Sequence, residues 1–137
     1  MAIIGGAGNP VGGSFTGPAE ALEIVLDRCY AYSGEQTTTN TVEKTFLEFT
    51  TGNYVAEIWL QYGSASGGGV DVKARTYLND SNMIEIVHNA NYDENQDAKI
   101  PMRLILPAYT RFKFTLQGQS TQTSEWSVWV TGRIYRG

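Results

Sequence analysis

The sequence has little of what catalysis and metal binding usually require. Its 137 residues contain one cysteine, Cys29, and one histidine, His88, so no internal disulfide can form. This composition fits a reducing compartment, and we interpret Cys29 as a small buried residue rather than a nucleophile. No H-E-x-x-H, C-x-x-C or G-x-S-x-G motif is present. We therefore expect a protein that is not an enzyme, with no catalytic, cofactor-binding or metal site.

The charge balance and the hydropathy argue against two classes of partner. Asp and Glu number 14 against 10 Lys and Arg, which gives a net charge of −4 at pH 7. A nucleic-acid-binding domain normally carries a basic excess that displaces counterions from phosphates. No apolar run approaches the ~20 residues that span a bilayer, and no secretory signal peptide is visible. We expect neither nucleic acid nor a membrane as a partner.

The first 18 residues, MAIIGGAGNPVGGSFTGP, contain six glycines and two prolines. The dinucleotide fingerprint G-x-G-x-x-G fails at Val11, and Ser14 stands where a P-loop has lysine. Because glycine at this density is entropically costly to fix, we interpret residues 1–18 as an extended N-terminal arm and residues 19–137 as the folded domain. The arm would attach to a neighbouring chain through its apolar side chains, which are Ile3, Ile4, Val11 and Phe15.

Beyond the arm, β-branched and aromatic residues alternate with polar ones and are interrupted by Gly, Asn, Asp and Ser, which is typical of antiparallel strands and turns. Short connections and the lack of a convincing long helix favour an all-β antiparallel β-sandwich, most simply an eight-stranded jelly roll, with an up-and-down barrel as the alternative. The predicted strands are 21–32, 44–50, 54–62, 70–78, 83–88, 98–106, 110–117 and 125–135. The predicted core includes Ile58, Leu60, Val72, Phe112, Phe114, Leu116, Val128 and Val130.

Two tryptophans fall on strand faces that the alternation assigns to solvent. Trp129 shares a face with Thr131, and Trp59 shares a face with Glu57 and Gln61. Large aromatic residues at such positions can mark an interface, because they bury much area at low entropic cost. The alternative is that the protein's own loops or arm cover them. Trp59 and Trp129 are therefore candidate interaction residues.

One acidic loop has a spacing that resembles a calcium site. Oxygen-bearing side chains recur at every second position, as at the start of an EF-hand loop. The glycine and the glutamate that complete such a loop are replaced by Gln96 and Met102. A solvated hairpin loop is therefore favoured over a calcium site for these residues, which are Asn91, Asp93, Asn95 and Asp97.

The C-terminal third carries a family resemblance. In IPMRLILPAYTRFKFTLQGQSTQTSEWSVWVTGRIY, a strand ends in Ile105-Leu106-Pro107, an alternating strand runs from Phe112 to Leu116, and a Trp-containing strand runs from Trp126 to Tyr135. This segment resembles the closing part of jelly-roll structural proteins of tailed-phage virions. The resemblance implies a capsid decoration (cement) protein, or more broadly a virion structural protein. It would be assembled in the host cytoplasm, bind the major capsid protein or another virion protein, and form a homo-oligomer, with a trimer favoured.

Two other classes of function stay open at this stage. One is a carbohydrate-binding jelly-roll module or a receptor-binding tail or fibre component, in which Trp59, Trp129 or Tyr77 would stack on sugar rings. Aromatic side chains on one exposed face, beside Asp, Asn or Gln, would distinguish it. The other is an enzyme whose carboxylate pair is brought together only by folding.

Overall fold

The computed structural model describes residues 22–38, 42–66, 71–88, 101–119 and 123–136. These residues form ten strands, and none of them is helical, so they include no helix that could cross a membrane. The strands are β1 (Glu23–Val25), β2 (Arg28–Tyr32), β3 (Gln36–Thr38), β4 (Lys44–Thr50), β5 (Val55–Ser66), β6 (Val72–Leu78), β7 (Ser81–His88), β8 (Met102–Leu106), β9 (Arg111–Gly118) and β10 (Ser124–Tyr135).

The strands form two sheets, and every pairing within them is antiparallel. The six-stranded sheet has the order β1-β2-β10-β5-β8, with β3 paired to the start of β10. The four-stranded sheet has the order β4-β9-β6-β7. The prediction of an all-β protein made of antiparallel sheets is therefore confirmed.

The strand pairings are nested along the chain. Strand β6 pairs with β7, β5 with β8, β4 with β9 and β2 with β10, like successive steps of one long hairpin. Two further pairings complete the sheets. Strand β10 pairs with β5 in the six-stranded sheet, and β9 pairs with β6 in the four-stranded sheet. Neighbouring strands in space are thus far apart in sequence, and each sheet needs both halves of the chain.

The core lies between the inner faces of the two sheets. Tyr62 of β5 and Phe114 of β9 join the sheets, with ring centroids 5.3 Å apart, and Trp126 packs against Tyr62 at 6.0 Å. Alternate residues of the long strands point inward, as the period-two pattern requires. All eight residues predicted for the core are buried, namely Ile58, Leu60, Val72, Phe112, Phe114, Leu116, Val128 and Val130.

The number of strands differs from the prediction of eight. The predicted strand 21–32 is divided by a turn at Leu26 and Asp27, where Leu26 has a φ of 58°. The sequence did not predict this turn, because the apolar run that ends at Leu26 is typical of a continuous strand and gives no sign of a positive φ. Strand β3 was missed because Gln36–Thr38 has no apolar alternation; its partners are Ser124–Trp126 of β10.

Several predicted features lie outside the described residues. The arm at residues 1–18 is one of them, as are Val70 and residues 98–100 at the predicted beginnings of two strands. The division into an arm and a domain that starts at residue 19 therefore stays a prediction.

Candidate functional site

The outer face of the six-stranded sheet carries an unusual concentration of aromatic residues. Across three neighbouring strands, Tyr30 of β2 lies opposite Thr131 of β10, and Thr131 lies opposite Trp59 of β5. Arg103 of β8 follows on the far side of Trp59. The side chain at the centre of this row is short, while both of its neighbours are large and aromatic.

The next row of the same face contains the second predicted tryptophan. Tyr32, Trp129 and Gln61 lie side by side on β2, β10 and β5. The indole N–H of Trp129 donates a hydrogen bond to Oε1 of Gln61 over 3.2 Å. Trp129 is half-buried, whereas Trp59 is 47 % exposed. The structure therefore places both candidate interaction residues on one face, with Trp59 the more accessible.

A groove crosses this face above Thr131. The Thr131 groove has a volume of about 410 Å³ and is lined chiefly by Tyr30, Tyr32, Thr131 and Trp59, with Glu57 and Arg133 at one end. A second hollow of about 450 Å³ adjoins it, and its lining includes Trp129. Tyr32 and Thr131 line both. Volumes of this size are at the lower end of the range of small-ligand sites.

Charged side chains form the polar end of the Thr131 groove. Asp27 pairs with Arg28 at 3.7 Å and with Arg133 at 3.5 Å. Glu57 accepts a hydrogen bond from Arg103 and another, 2.9 Å long, from the hydroxyl of Tyr135. These hydrogen bonds, first that of Arg103, lower the pKa of Glu57. Glu57 is therefore an ionised acceptor in a fixed position.

Aliphatic side chains are exposed on the edge strands of both sheets. On β8, at the edge of the six-stranded sheet, Ile105 is exposed. On β7, at the edge of the four-stranded sheet, Met83, Ile86 and Val87 are exposed. An edge strand has unpaired backbone groups, and apolar side chains beside them favour pairing with another chain.

Tyr77, the third aromatic residue considered for sugar stacking, lies on the four-stranded sheet instead. Its hydroxyl donates a hydrogen bond to Glu43, which also accepts one of 2.6 Å from Thr115 and pairs with Arg75 at 3.2 Å. Burial alone would raise the pKa of Glu43, but the bonds from Thr115 and Tyr77 and the charge of Arg75 lower it overall. Tyr77 is therefore held in a polar network, away from the two tryptophans.

Folding does bring some carboxylates together, but not in the groove. Glu43 and Glu85 both pair with Arg75, at 3.2 and 2.8 Å. Glu35 and Glu125 lie close together, and the pKa of Glu35, which is exposed, is raised because its protonated carboxyl can donate a hydrogen bond to Glu125. Neither pair lines the groove or the second hollow.

No metal cluster is found within the part of the chain that the structure describes, where no three His, Cys, Asp or Glu residues converge. The calcium-like spacing at residues 91–97 lies outside that part, and so do the arm residues Ile3, Ile4, Val11 and Phe15. His88 belongs to β7, and the thiol of Cys29 is buried.

Sequence reasoning missed Tyr30 and Tyr32, which form the second wall of the groove. The alternation of Arg28, Tyr30 and Tyr32 with buried Cys29 and Ala31 was a usable signal for an aromatic outer face. Their position beside Trp59 could not be read from the sequence, because it depends on β10 inserting between β2 and β5.

Comparison with known proteins adds no second line of evidence. No protein-family model, curated protein or solved structure matches the chain. The function must therefore be inferred from the geometry of the chain itself.

Proposed function

We propose that the chain is a non-enzymatic virion structural protein of the capsid decoration (cement) type, with a jelly-roll fold. The strand order supports the fold. When β1 and β3 are left aside, the first of the eight remaining strands pairs with the last, the second with the seventh, the third with the sixth and the fourth with the fifth. This is the order expected when an antiparallel hairpin is rolled into two sheets, and it supports a jelly roll.

The observation that carries the proposed function is the set of apolar side chains exposed on two edge strands, β7 and β8. Monomeric proteins normally protect their edge strands with charge, proline or a covering segment. Here β7 carries Met83 and Val87 as exposed side chains, and β8 carries Ile105. A subunit that meets several neighbours in a shell uses such edges as contacts, so they support an assembling protein.

The chemistry of the described residues is also more suited to binding than to catalysis. Glu48 pairs with Arg111, and Glu57 with Arg103. Burial raises the pKa of the Cys29 thiol to about 11, which disfavours the nucleophilic thiolate. These groups have structural partners or surroundings that suppress reactivity, in support of a structural role.

The first experiment measures the assembly state of the purified protein and its binding to empty capsids of the parent virus. Light scattering coupled to size exclusion should give a homo-oligomer, with a trimer expected, and the protein should co-sediment with the capsids. Val87→Lys places a charge on the β7 edge and should weaken one or both associations. Val42→Lys is the matched control, because Val42 and Val87 are 56 % and 57 % exposed and Val42 is not on β7.

A monomer at every concentration that also fails to bind capsids would contradict the proposal. Equal effects of the two valine substitutions would show instead that added charge, and not the edge, is responsible. Circular dichroism of each variant checks that the fold is intact.

A second candidate function is carbohydrate binding, either by an independent module or by a receptor-binding tail or fibre component. The observation that favours it is the presence of Trp59 and Trp129 on one face, beside Gln61 and Glu57. This is the arrangement expected of a sugar-binding sheet. It uses a different surface from the β7 edge, so the two candidate functions are compatible.

A further inference from the structure

We propose that the Thr131 groove binds a pyranose ring of a neutral glycan, with one face of the sugar against Trp59. This inference rests on the second candidate function above and names the class of its ligand. In this groove, aromatic side chains form the walls, the short side chain of Thr131 forms the floor, and charged side chains held by hydrogen bonds lie at one end.

The spacing of the walls leaves room for one flat ring. Tyr30 and Trp59 lie on β2 and β5, on either side of β10, so their Cα atoms are about two strand spacings, or roughly 10 Å, apart. Aromatic rings contact each other at centroid distances of about 4.5–7 Å. The hollow of about 410 Å³ that both residues line shows that their side chains leave the space between them open.

The floor of the groove keeps that space open. Thr131 is the residue between the two walls, and its side chain is exposed. A large side chain at this position would occupy the gap. The methyl and hydroxyl groups of threonine instead offer one apolar and one hydrogen-bonding contact at the base.

The polar end provides the hydrogen bonds that a sugar requires. The hydrogen bonds from Arg103 and Tyr135 hold the carboxylate of Glu57, which lines the groove. An ionised carboxylate has room for several acceptor contacts, so two bound partners leave capacity for a ligand hydroxyl. Arg133 lies beside Glu57 and supplies N–H donors. The C–H face of the sugar would then contact the aromatic rings while its hydroxyls reach this end.

The charge pattern favours a neutral ligand over an anionic one. Each of the three arginines around the groove already has a carboxylate partner: Arg28 and Arg133 share Asp27, and Arg103 pairs with Glu57. A phosphate or sulfate would compete with these carboxylates. A peptide strand could not add to the sheet here, because β10 is already paired on both sides.

The second hollow predicts that binding affinity depends on the length of the glycan. It adjoins the groove at Tyr32 and Thr131 and is lined by Trp129. A trisaccharide that extends from the groove can reach it, whereas a monosaccharide cannot occupy both. We therefore expect tighter binding as the glycan lengthens from one to three units.

The experiment titrates the purified full-length protein with neutral pyranosides of glucose, galactose, mannose and N-acetylglucosamine, each as a monosaccharide and as a trisaccharide. Binding is followed by saturation-transfer NMR and by tryptophan fluorescence. At least one trisaccharide series should bind saturably and shift the fluorescence. Trp59→Ala and Tyr30→Ala should each weaken that binding at least tenfold. Tyr109→Ala is the control, since Tyr109 is 71 % exposed and does not line the groove.

A second variant tests the gap without removing any aromatic residue. Thr131→Trp should fill the groove and abolish binding while Trp59 and Tyr30 remain. Because Thr131 is exposed, this change should leave the circular dichroism spectrum and the melting temperature close to those of the parent.

Absence of saturable binding across the panel would overturn the inference, and so would binding that Trp59→Ala leaves unchanged. Stronger binding of inorganic sulfate or phosphate than of any sugar would also overturn it. None of these results bears on the assembly proposal, which is measured separately by oligomeric state and capsid binding and depends on Val87. Loss of capsid binding in Trp59→Ala, without any sugar binding, would assign the groove to protein contact and reject the glycan.

Discussion

A Cβ atom placed on Gly132 would lie 2.0 Å from the carbonyl oxygen of Glu57 on the neighbouring strand. It would also lie 2.8 Å from the Cα atom of Ile58. Real Cβ atoms do not approach a backbone so closely, and the backbone cannot rotate away as a side chain could. The close approach of β10 to β5, directly beneath the groove, therefore requires glycine at this position.

The first prediction is that Gly132→Ala destabilises the protein strongly. Separating β10 from β5 should cost at least ~1–3 kcal/mol, as overpacking in a rigid environment does. The measurement is the free energy of unfolding from urea denaturation. The matched control is Gly63→Ala on β5, where a Cβ atom would meet nothing within 4 Å. Equal stability of the two variants would show that the strands separate without cost.

The second prediction concerns the contact between the sheets. Phe114 is 1 % exposed, and its ring packs against that of Tyr62 from the other sheet. Phe114→Ala should leave a cavity between the sheets and lower the free energy of unfolding by ~3–5 kcal/mol. A loss below about 1 kcal/mol in urea denaturation, well outside that range, would show that the core collapses around the cavity or that the two sheets do not meet there.

The core was predictable from local sequence patterns, whereas no local pattern gives the sheet order. Phe112, Phe114 and Leu116 alternate with charged and polar residues, and this pattern states directly which side of β9 is buried. No local pattern states that β9 lies between β4 and β6, because those pairings join residues far apart in the chain. The Leu26 turn was not predicted either, because the presence of a leucine does not indicate a positive φ.

The third prediction concerns the Tyr62 hydroxyl. This group is buried and has no hydrogen-bond partner among the described residues, and burial raises its pKa. A buried hydroxyl without a partner has lost its hydrogen bonds to water, and no hydrogen bond within the protein replaces them. Tyr62→Phe should therefore be neutral or should stabilise the protein by up to ~1 kcal/mol. A loss of more than that amount would indicate a hydrogen bond supplied by a residue outside the described part.

The fourth prediction concerns stability at alkaline pH. Burial raises the pKa of Cys29 from 9.0 to about 11, so the folded state retains the thiol proton more tightly than the unfolded state. This contribution is complete below pH 9 and is lost as the pH rises towards 11. The free energy of unfolding should fall through this range by an amount on the order of 2–3 kcal/mol.

The control for this prediction is Cys29→Ala, in which the alkaline loss should become smaller. Tyr62 contributes in the same direction, because its pKa is also raised, so the double variant Cys29→Ala, Tyr62→Phe should show the flattest profile. An unchanged slope in the double variant would assign the alkaline loss to other groups. In the folded parent protein, Cys29 should also react slowly with a thiol reagent.

The candidate site was only partly predictable. Trp59 and Trp129 were identified because large aromatic residues stood on faces that the alternation assigns to solvent. Their common location requires the pairing of Trp129 with Gln61, which only the fold supplies. Tyr77 met the same criterion in the sequence and lies on the other sheet, held by Glu43. The sequence of a single strand thus predicts which of its side chains are exposed, but it does not predict which strands will be its neighbours in the sheet.

The last prediction concerns the arm, residues 1–18, which lies outside the described residues. Among the described residues, the buried apolar core runs from Cys29 to Ile134 and already joins both sheets, so we expect the domain to fold and melt cooperatively after deletion of the arm. Capsid binding should weaken sharply, because burial of each apolar anchor could contribute ~1.5–3 kcal/mol before the cost of ordering.

A full-length variant distinguishes the effect of losing the apolar anchors from the effect of shortening the chain. Serine at the four anchor positions, Ile3, Ile4, Val11 and Phe15, should weaken capsid binding as much as deletion does while the melting temperature stays unchanged. Failure of the truncated protein to fold would make the arm part of the domain. A truncated protein that folds and binds capsids with full affinity would reject the arm as an attachment device. The β7 edge around Val87 and the aromatic face around Trp59 would then be the surfaces left to account for attachment.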